Sequence, residues 1–193
     1  MASSPELPPN VHVSSHPCLQ AKLSQLRSKS TPAKDVKTIV NDIALILGCE
    51  ALAASTSPAK GPEDQTPLGF TYNTTVLNPR TICLVPILRS GLAMVDALQT
   101  ILPDPVPVHH LGLYREPSTL EPVEYYNNLP HHIPDPTLTA ASTSAAAFAR
   151  AASEWPEATD IWVAGVDAEI TAEGMLKPGL GDVGDRLFLT IGK

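Results

Sequence analysis

Residues 81–102, TICLVPILRSGLAMVDALQTIL, decide the fold. The run from Ile82 to Leu88 is apolar and rich in β-branched side chains, then Arg89-Ser90-Gly91 interrupts it. Beyond the glycine, LAMVDALQTIL resumes with helical periodicity. A strand, a tight turn and a helix are predicted, and together they open an α/β unit.

Upstream, apolar residues recur at helical spacing over residues 18–26 and 31–52, as in Val36, Ile39, Val40, Ile43, Ala44 and Leu47, with Thr31-Pro32 as cap and first-turn pair. Two packed helices are expected there. Residues 53–68, AASTSPAKGPEDQTPL, are small, polar and proline-rich and read as a flexible surface connection. The first ten residues, with Pro5, Pro8 and Pro9, read as an extended arm, followed by one domain over residues 11–193. Downstream, VPVHHLGLY (106–114) reads as a second strand, and residues 115–130 suit a projecting two-stranded arm. Residues 142–155 are alanine-rich and helical in pattern up to Pro156, DIWVAGV (160–166) is a strand, and the tail from Gly174 is loop-like.

Composition narrows the function. The chain has 193 residues, 43% of them hydrophobic, with 5% aromatic and 20 prolines, so one core of Ala, Val, Ile and Leu is expected, with few long helices. No apolar run approaches a bilayer span, and MASSPELPPN lacks the basic and apolar regions of a secretory leader, so a cytoplasmic protein is expected. A net charge of −7 with 13 Lys and Arg argues against a nucleic-acid footprint. Cys18, Cys49 and Cys83 are scattered and odd in number, which suggests neither a disulfide framework nor zinc.

Three stretches carry chemistry. In VPILRSGLAMVD, Arg89, Ser90 and Gly91 stand where a strand gives way to a helix, a place where backbone N–H groups and a guanidinium fork hold anions such as pyrophosphate. A solvated Arg89 beside an ordinary turn glycine fits the local pattern equally well. Arg115, in LYREPSTLEP, stands where a strand enters the arm and is placed to reach the same anion, although an arginine there is also an ordinary surface residue. The third, PGLGDVGDRLF (178–188), offers exposed backbone groups to the edge of a flat heterocycle, with Asp182 to orient a ligand; a Gly/Asp turn cluster is the plainer reading. The pairs His109-His110 and His131-His132 sit in Pro-rich loops and read as solvated, so no protein metal site is expected.

Taken together, VPILRSGLAMVD, LGLYREPSTLEPVEYY and GMLKPGLGDVGDRLF, backed by HPCLQAKLSQLRS, resemble the uracil phosphoribosyltransferase family, in the family's order and over most of residues 11–193. The resemblance implies a type I phosphoribosyltransferase α/β fold: a mostly parallel sheet flanked by helices, with a small hood from the two ends of the chain. It implies transfer of the phosphoribosyl group of 5-phosphoribosyl 1-pyrophosphate (PRPP) to uracil, giving UMP and pyrophosphate, with Mg2+ carried mainly by PRPP. GTP as an effector, and a homo-oligomer of two or four chains, belong to the same expectation.

By carry-over, Arg89, Arg115 and Asp182 are catalytic. PRPP falls to Arg89, Ser90, Gly91, Arg115, Asp182 and the loop Asp135, Pro136, Thr137, Leu138, Thr139, Ala140, Ala141, Ser142 and Thr143. Uracil falls to Leu176, Gly181, Asp182 and Val183. The sequence departs from the family in three places. Ala140 and Ala141 stand near the glycines of the phosphate loop DPMLATGG, where left-handed backbone costs a non-glycine residue about 1 kcal/mol or more. Met175 stands where the family has Tyr. One Ala-rich stretch replaces a crossover helix, a strand and a further helix, so a sheet lacking one or two core strands is expected. A catalytically weakened homologue, acting as a nucleotide-binding or regulatory subunit, is the alternative reading.

Overall fold

The computed structural model describes residues 7–116, 119, 121–129, 137–141, 160–167, 169–171 and 175–190. Along the chain these form β1 (Val11–Val13), α1 (Pro17–Arg27), α2 (Ala33–Ser55), β2 (Ser57–Gln65), β3 (Thr71–Asn78), β4 (Ile82–Leu88) and α3 (Leu92–Ile101). They continue with β5 (Leu111–Arg115), β6 (Pro122–Asn127), β7 (Thr137–Ala141), β8 (Ile161–Val163), β9 (Glu169–Ile170), β10 (Leu176–Lys177) and a last helix, α4 (Val183–Phe188).

β4 organises the rest. Successive side chains of a strand point to opposite faces, and both faces of β4 are apolar. Ile82 and Leu84 enter the main core with α1, α2 and α3, while Val85 and Ile87 pack with Leu111 on the other side, joined by Cys83, Leu113 and Leu129. Burial on that side pushes the Cys83 thiol up from its ordinary pKa, which disfavours a reactive thiolate. Cys18 and Cys49 are exposed. The main sheet runs β6-β5-β4-β7. β4 is parallel to β5 and to β7, and β6 pairs antiparallel with β5 at the edge of the same sheet.

The helices follow their apolar spacing. α1 buries Leu19, Leu23 and Leu26, and α2 buries Val36, Ile39, Val40, Ile43, Ala44, Leu47 and Gly48, each set on one stripe. α2 is long and apolar enough, by length and composition, to cross a bilayer, which corrects the expectation that no stretch approaches a span. Its stripe is taken up by the core between α1, α3 and the sheet. Gly48 lets α3 come close: a Cβ there would lie 2.5 Å from Leu98 Cδ2 and 2.9 Å from Ile101 Cδ1. Away from the main sheet, β1 pairs in parallel with β8, and the His12 ring stacks on Trp162 at 4.4 Å. This is the small hood built from distant parts of the chain.

Three local expectations are corrected. Residues 53–68 are not a loose connection: α2 runs on to Ser55, and β2 pairs antiparallel with β3. The prolines are tolerated because β2 has a single neighbour, and the register shifts between Lys60 and Glu63, around Pro62. Thr137, Leu138, Thr139, Ala140 and Ala141, expected in a phosphate loop, form β7, with Ile82 opposite Thr137 and Pro86 opposite Ala141. The open edge of β4 selects them through backbone pairing, which alanine and threonine satisfy as well as larger residues. The loop-like tail holds β9, β10 and α4. The expected helix over 142–155 lies outside the described residues.

Gly48→Leu forces four heavy atoms into the α2–α3 contact and is expected to lower unfolding stability by about 2 kcal/mol. Chemical denaturation checks this, and an unchanged midpoint would show that the two helices do not meet at Gly48.

Candidate functional site

Parallel strands end on the same side of a sheet, and in open α/β sheets ligands gather outside those carboxyl ends. Arg89 follows the last residue of β4, and Arg115 closes β5, whose Gly112 stands opposite Leu88. Both arginines therefore belong to one sheet edge; the side chain of Arg115 lies outside the described residues. β7 runs toward the same edge, ending at Ala141 opposite Pro86. Asp135, Pro136, Ser142 and Thr143 lie outside the described residues.

The turn after β4 is already wound for a helix. Gly91 N–H donates to the Ile87 carbonyl at 2.9 Å, and Ala93 N–H donates to the Ser90 carbonyl at 3.2 Å. Gly91 is buried with φ −60°. Any residue adopts that φ, so the turn does not call for glycine on conformational grounds.

The Arg89 side chain crosses to the C-terminal segment. Nη2 meets Asp185 Oδ1 at 2.7 Å, and Nη1 donates to Thr190 Oγ1 at 3.0 Å. Thr190 Oγ1 in turn donates to the same Asp185 oxygen at 2.6 Å. Asp182 caps α4, its Oδ1 accepting the Asp185 N–H at 2.9 Å, the bond an aspartate makes at a helix start. A Cβ on Gly184 would sit 3.2 Å from Asp182 Oδ1 and 3.7 Å from Arg89 Nη2. Arg89 and Asp182, 93 positions apart in the sequence, thus meet at one place. A guanidinium has five N–H donors in a planar fork, so the bonds to Asp185 and Thr190 leave donors for an anion.

The rest of the segment is shaped by glycine. Gly179 and Gly181 hold φ of +68° and +70°, values open to glycine at little cost. A Cβ on Gly179 would collide with the Leu176 carbonyl oxygen. Leu176 lies in β10 opposite Ile170 and is partly exposed. Val183 is buried in the main core, so it has only backbone to offer a ligand. Among the described residues no group of three or more His, Cys, Asp or Glu side chains converges.

The family model for uracil phosphoribosyltransferase matches residues 13–147 and again 137–190. The chain belongs to the uracil phosphoribosyltransferase family. It is 36% identical over 204 residues to the uracil phosphoribosyltransferase of Clostridioides difficile, covering 91% of this chain and 96% of the relative. It is 37% identical over 209 residues to that of Dictyoglomus turgidum, covering 93% and 99%. The solved structure of the AQ2163 protein from Aquifex aeolicus superposes with a TM-score of 0.79 at 25% identity, covering 92% of this chain and 97% of that one.

The two family matches share residues 137–147. An alignment of 209 positions drawing on 93% of a 193-residue chain leaves roughly 30 positions of the relative unmatched.

Sequence reasoning missed Asp185 and Thr190, which hold Arg89, and α4 itself. One local signal was present: Asp182-x-x-Asp185 has the spacing of a capped helix start with an acidic first turn. Arg27 and Arg186, which anchor the same segment, have no such signal, because Arg27 pairs with Asp167 140 positions away and Arg186 donates to the Leu26 carbonyl 160 positions away.

Asp182→Ala removes the cap and is expected to cost about 1 kcal/mol, while Asp182→Asn keeps an accepting side-chain oxygen and stays near the wild-type value. Thermal unfolding of the two variants checks this; equal losses would mean that the carboxylate charge, not the cap, stabilises α4.

Proposed function

We propose that this protein transfers the phosphoribosyl group of PRPP to uracil, releasing pyrophosphate and forming UMP. The observation that carries the reading is the meeting of Arg89, from the carboxyl end of β4, with Asp182 and Gly184 at the head of α4. Family membership, with relatives named uracil phosphoribosyltransferase, supports the choice of substrates.

The chemistry suits these groups. Uracil N1 forms a bond to the ribose C1 as the C1–oxygen bond to pyrophosphate breaks, and the N1 proton passes to the departing pyrophosphate or to water. Positive charge grows on the sugar while the leaving group departs as a concentrated anion. Donors aimed at that anion lower the barrier more than a nucleophilic side chain would. Arg89 is the first such donor, Arg115 the second, with Ser90 and Gly91 forming the wall of the turn. The backbone of Leu176, Gly181, Asp182 and Val183 reads the pyrimidine edge and holds N1 toward C1, a positioning effect. Asp135, Pro136, Ser142 and Thr143, with β7 leading between them, are assigned to the ribose and 5-phosphate. Mg2+, when bound with PRPP, neutralises pyrophosphate charge. The same reading includes a cytoplasmic homo-oligomer and GTP as an effector.

Purified protein incubated with labelled uracil, PRPP and Mg2+ is expected to yield UMP. Arg89→Ala is expected to lower kcat by about 10²-fold or more, the usual cost of removing one donor from a developing anion. Absence of UMP above a no-enzyme control would overturn the reading.

A further inference from the structure

We propose that Arg27 and Asp167 are positioning residues that hold the pyrimidine-reading segment in place and thereby set the apparent affinity for the base. The inference rests on the proposed transfer to uracil and adds to it two residues remote from the reacting atoms.

Arg27, the last residue of α1, meets Asp167 as a two-pronged pair. Nη2 lies 2.6 Å from Oδ1, and Nη1 donates to Oδ2 at 3.0 Å. Both partners then turn to Gly179. Arg27 Nη1 donates to the Gly179 carbonyl at 2.9 Å, and the Gly179 N–H donates to Asp167 Oδ2 at 3.2 Å. One residue is thus gripped by its carbonyl and its N–H at once. The pair is well shielded, with Arg27 25% and Asp167 10% exposed at the side chain. A charge-assisted, bidentate arrangement fixes orientation more firmly than a single bond, and lysine cannot reproduce its planar fork.

Gly179 is the pivot of the base-reading groups. A Cβ built on it would collide with the Leu176 carbonyl, so the two backbone segments lie close, and Gly181-Asp182 follow two residues later. Arg186 fixes the near end of the same stretch, donating to the Leu180 carbonyl at 2.7 Å and to the Leu26 and Ser28 carbonyls at 2.6 and 3.2 Å. Those last two acceptors lie at the end of α1, where terminal carbonyls lack intrahelical partners and attract cations. The C-terminus of α1 therefore serves as the anvil on which residues 179–182 are set. Movement of Gly179 displaces the Leu176 carbonyl and the Gly181 backbone together, while the β4 turn that carries Arg89 is held by separate bonds to Asp185 and Thr190. Because Asp182 is shared with PRPP while Arg89, Ser90, Gly91 and Arg115 lie outside the clamped segment, the clamp should govern the base far more strongly than PRPP.

The test compares Arg27→Lys and Asp167→Asn with Lys22→Ala. Lys22→Ala removes an ion pair of α1 with Asp42, at 2.6 Å, away from the segment. Steady-state kinetics with each substrate varied in turn are expected to show the KM for uracil raised about tenfold or more in both clamp variants, with the KM for PRPP within about twofold of wild type, as a misplaced binding group predicts. Lys22→Ala is expected to leave both constants unchanged. Equal changes in the two KM values, or none in Asp167→Asn, would overturn the clamp. Backbone hydrogen exchange is read on the same proteins: faster exchange over residues 179–183, with α2 unchanged, supports the clamp, and unchanged exchange there refutes it. If the wild-type protein forms no UMP, the transfer reading fails, and exchange alone decides whether Arg27 and Asp167 hold the segment.

Discussion

Two-sided burial of β4 is the constraint on which the structure depends. Ile82 and Leu84 face the helices, and Val85, Ile87 and Cys83 face the opposite layer. A strand apolar on both faces is at home only where both are covered. It is driven to the middle of the sheet, with β5 and β7 along its two edges. Its carboxyl end must then leave the core, and the first residue to do so is Arg89. A charged donor follows directly from a hydrophobic interior, held at a rigid strand end.

A second constraint lies in the charged pairs that draw the C-terminal segment onto the body of the protein. Arg89 reaches Asp185, Arg27 reaches Asp167 and Gly179, and Arg186 reaches back to α1. Each arginine uses more than one donor, so each bond fixes a direction as well as a distance. The segment itself has little apolar surface to hold it: Val183 enters the core, with Leu180 and Leu187 packed against it, while Leu176, Phe188 and Leu189 remain exposed. Polar clasps thus do for residues 176–190 what side-chain packing does for β4.

Much of this was legible before any coordinates. The strand-turn-helix at residues 82–101 and both N-terminal helices follow from apolar periodicity, and motif singles out Arg89 and Asp182 as candidates. What escaped was pairing that leaves no local trace. β2 reads as loop because proline and glycine punctuate it, and only its ladder with β3 makes it a strand. Thr137–Ala141 reads as a degraded phosphate loop, yet an open edge of β4 recruits it. In both cases backbone hydrogen bonding, which is nearly blind to side chains, overrides weak intrinsic preference.

By itself the amino-acid order determined α1, α2 and α3, the buried central strand and the family, because apolar period and motif are local properties of a chain. Only the tertiary structure decided that Arg27, Asp167 and Arg186 converge on one glycine-rich segment and that Asp185 and Thr190 hold Arg89. Arg27 and Asp167 stand 140 positions apart and Arg186 and Leu26 160, while Arg89 stands 101 from Thr190 and 96 from Asp185. Charge and hydrogen-bond direction act through space, and separation along the chain carries no information about them until the core has closed.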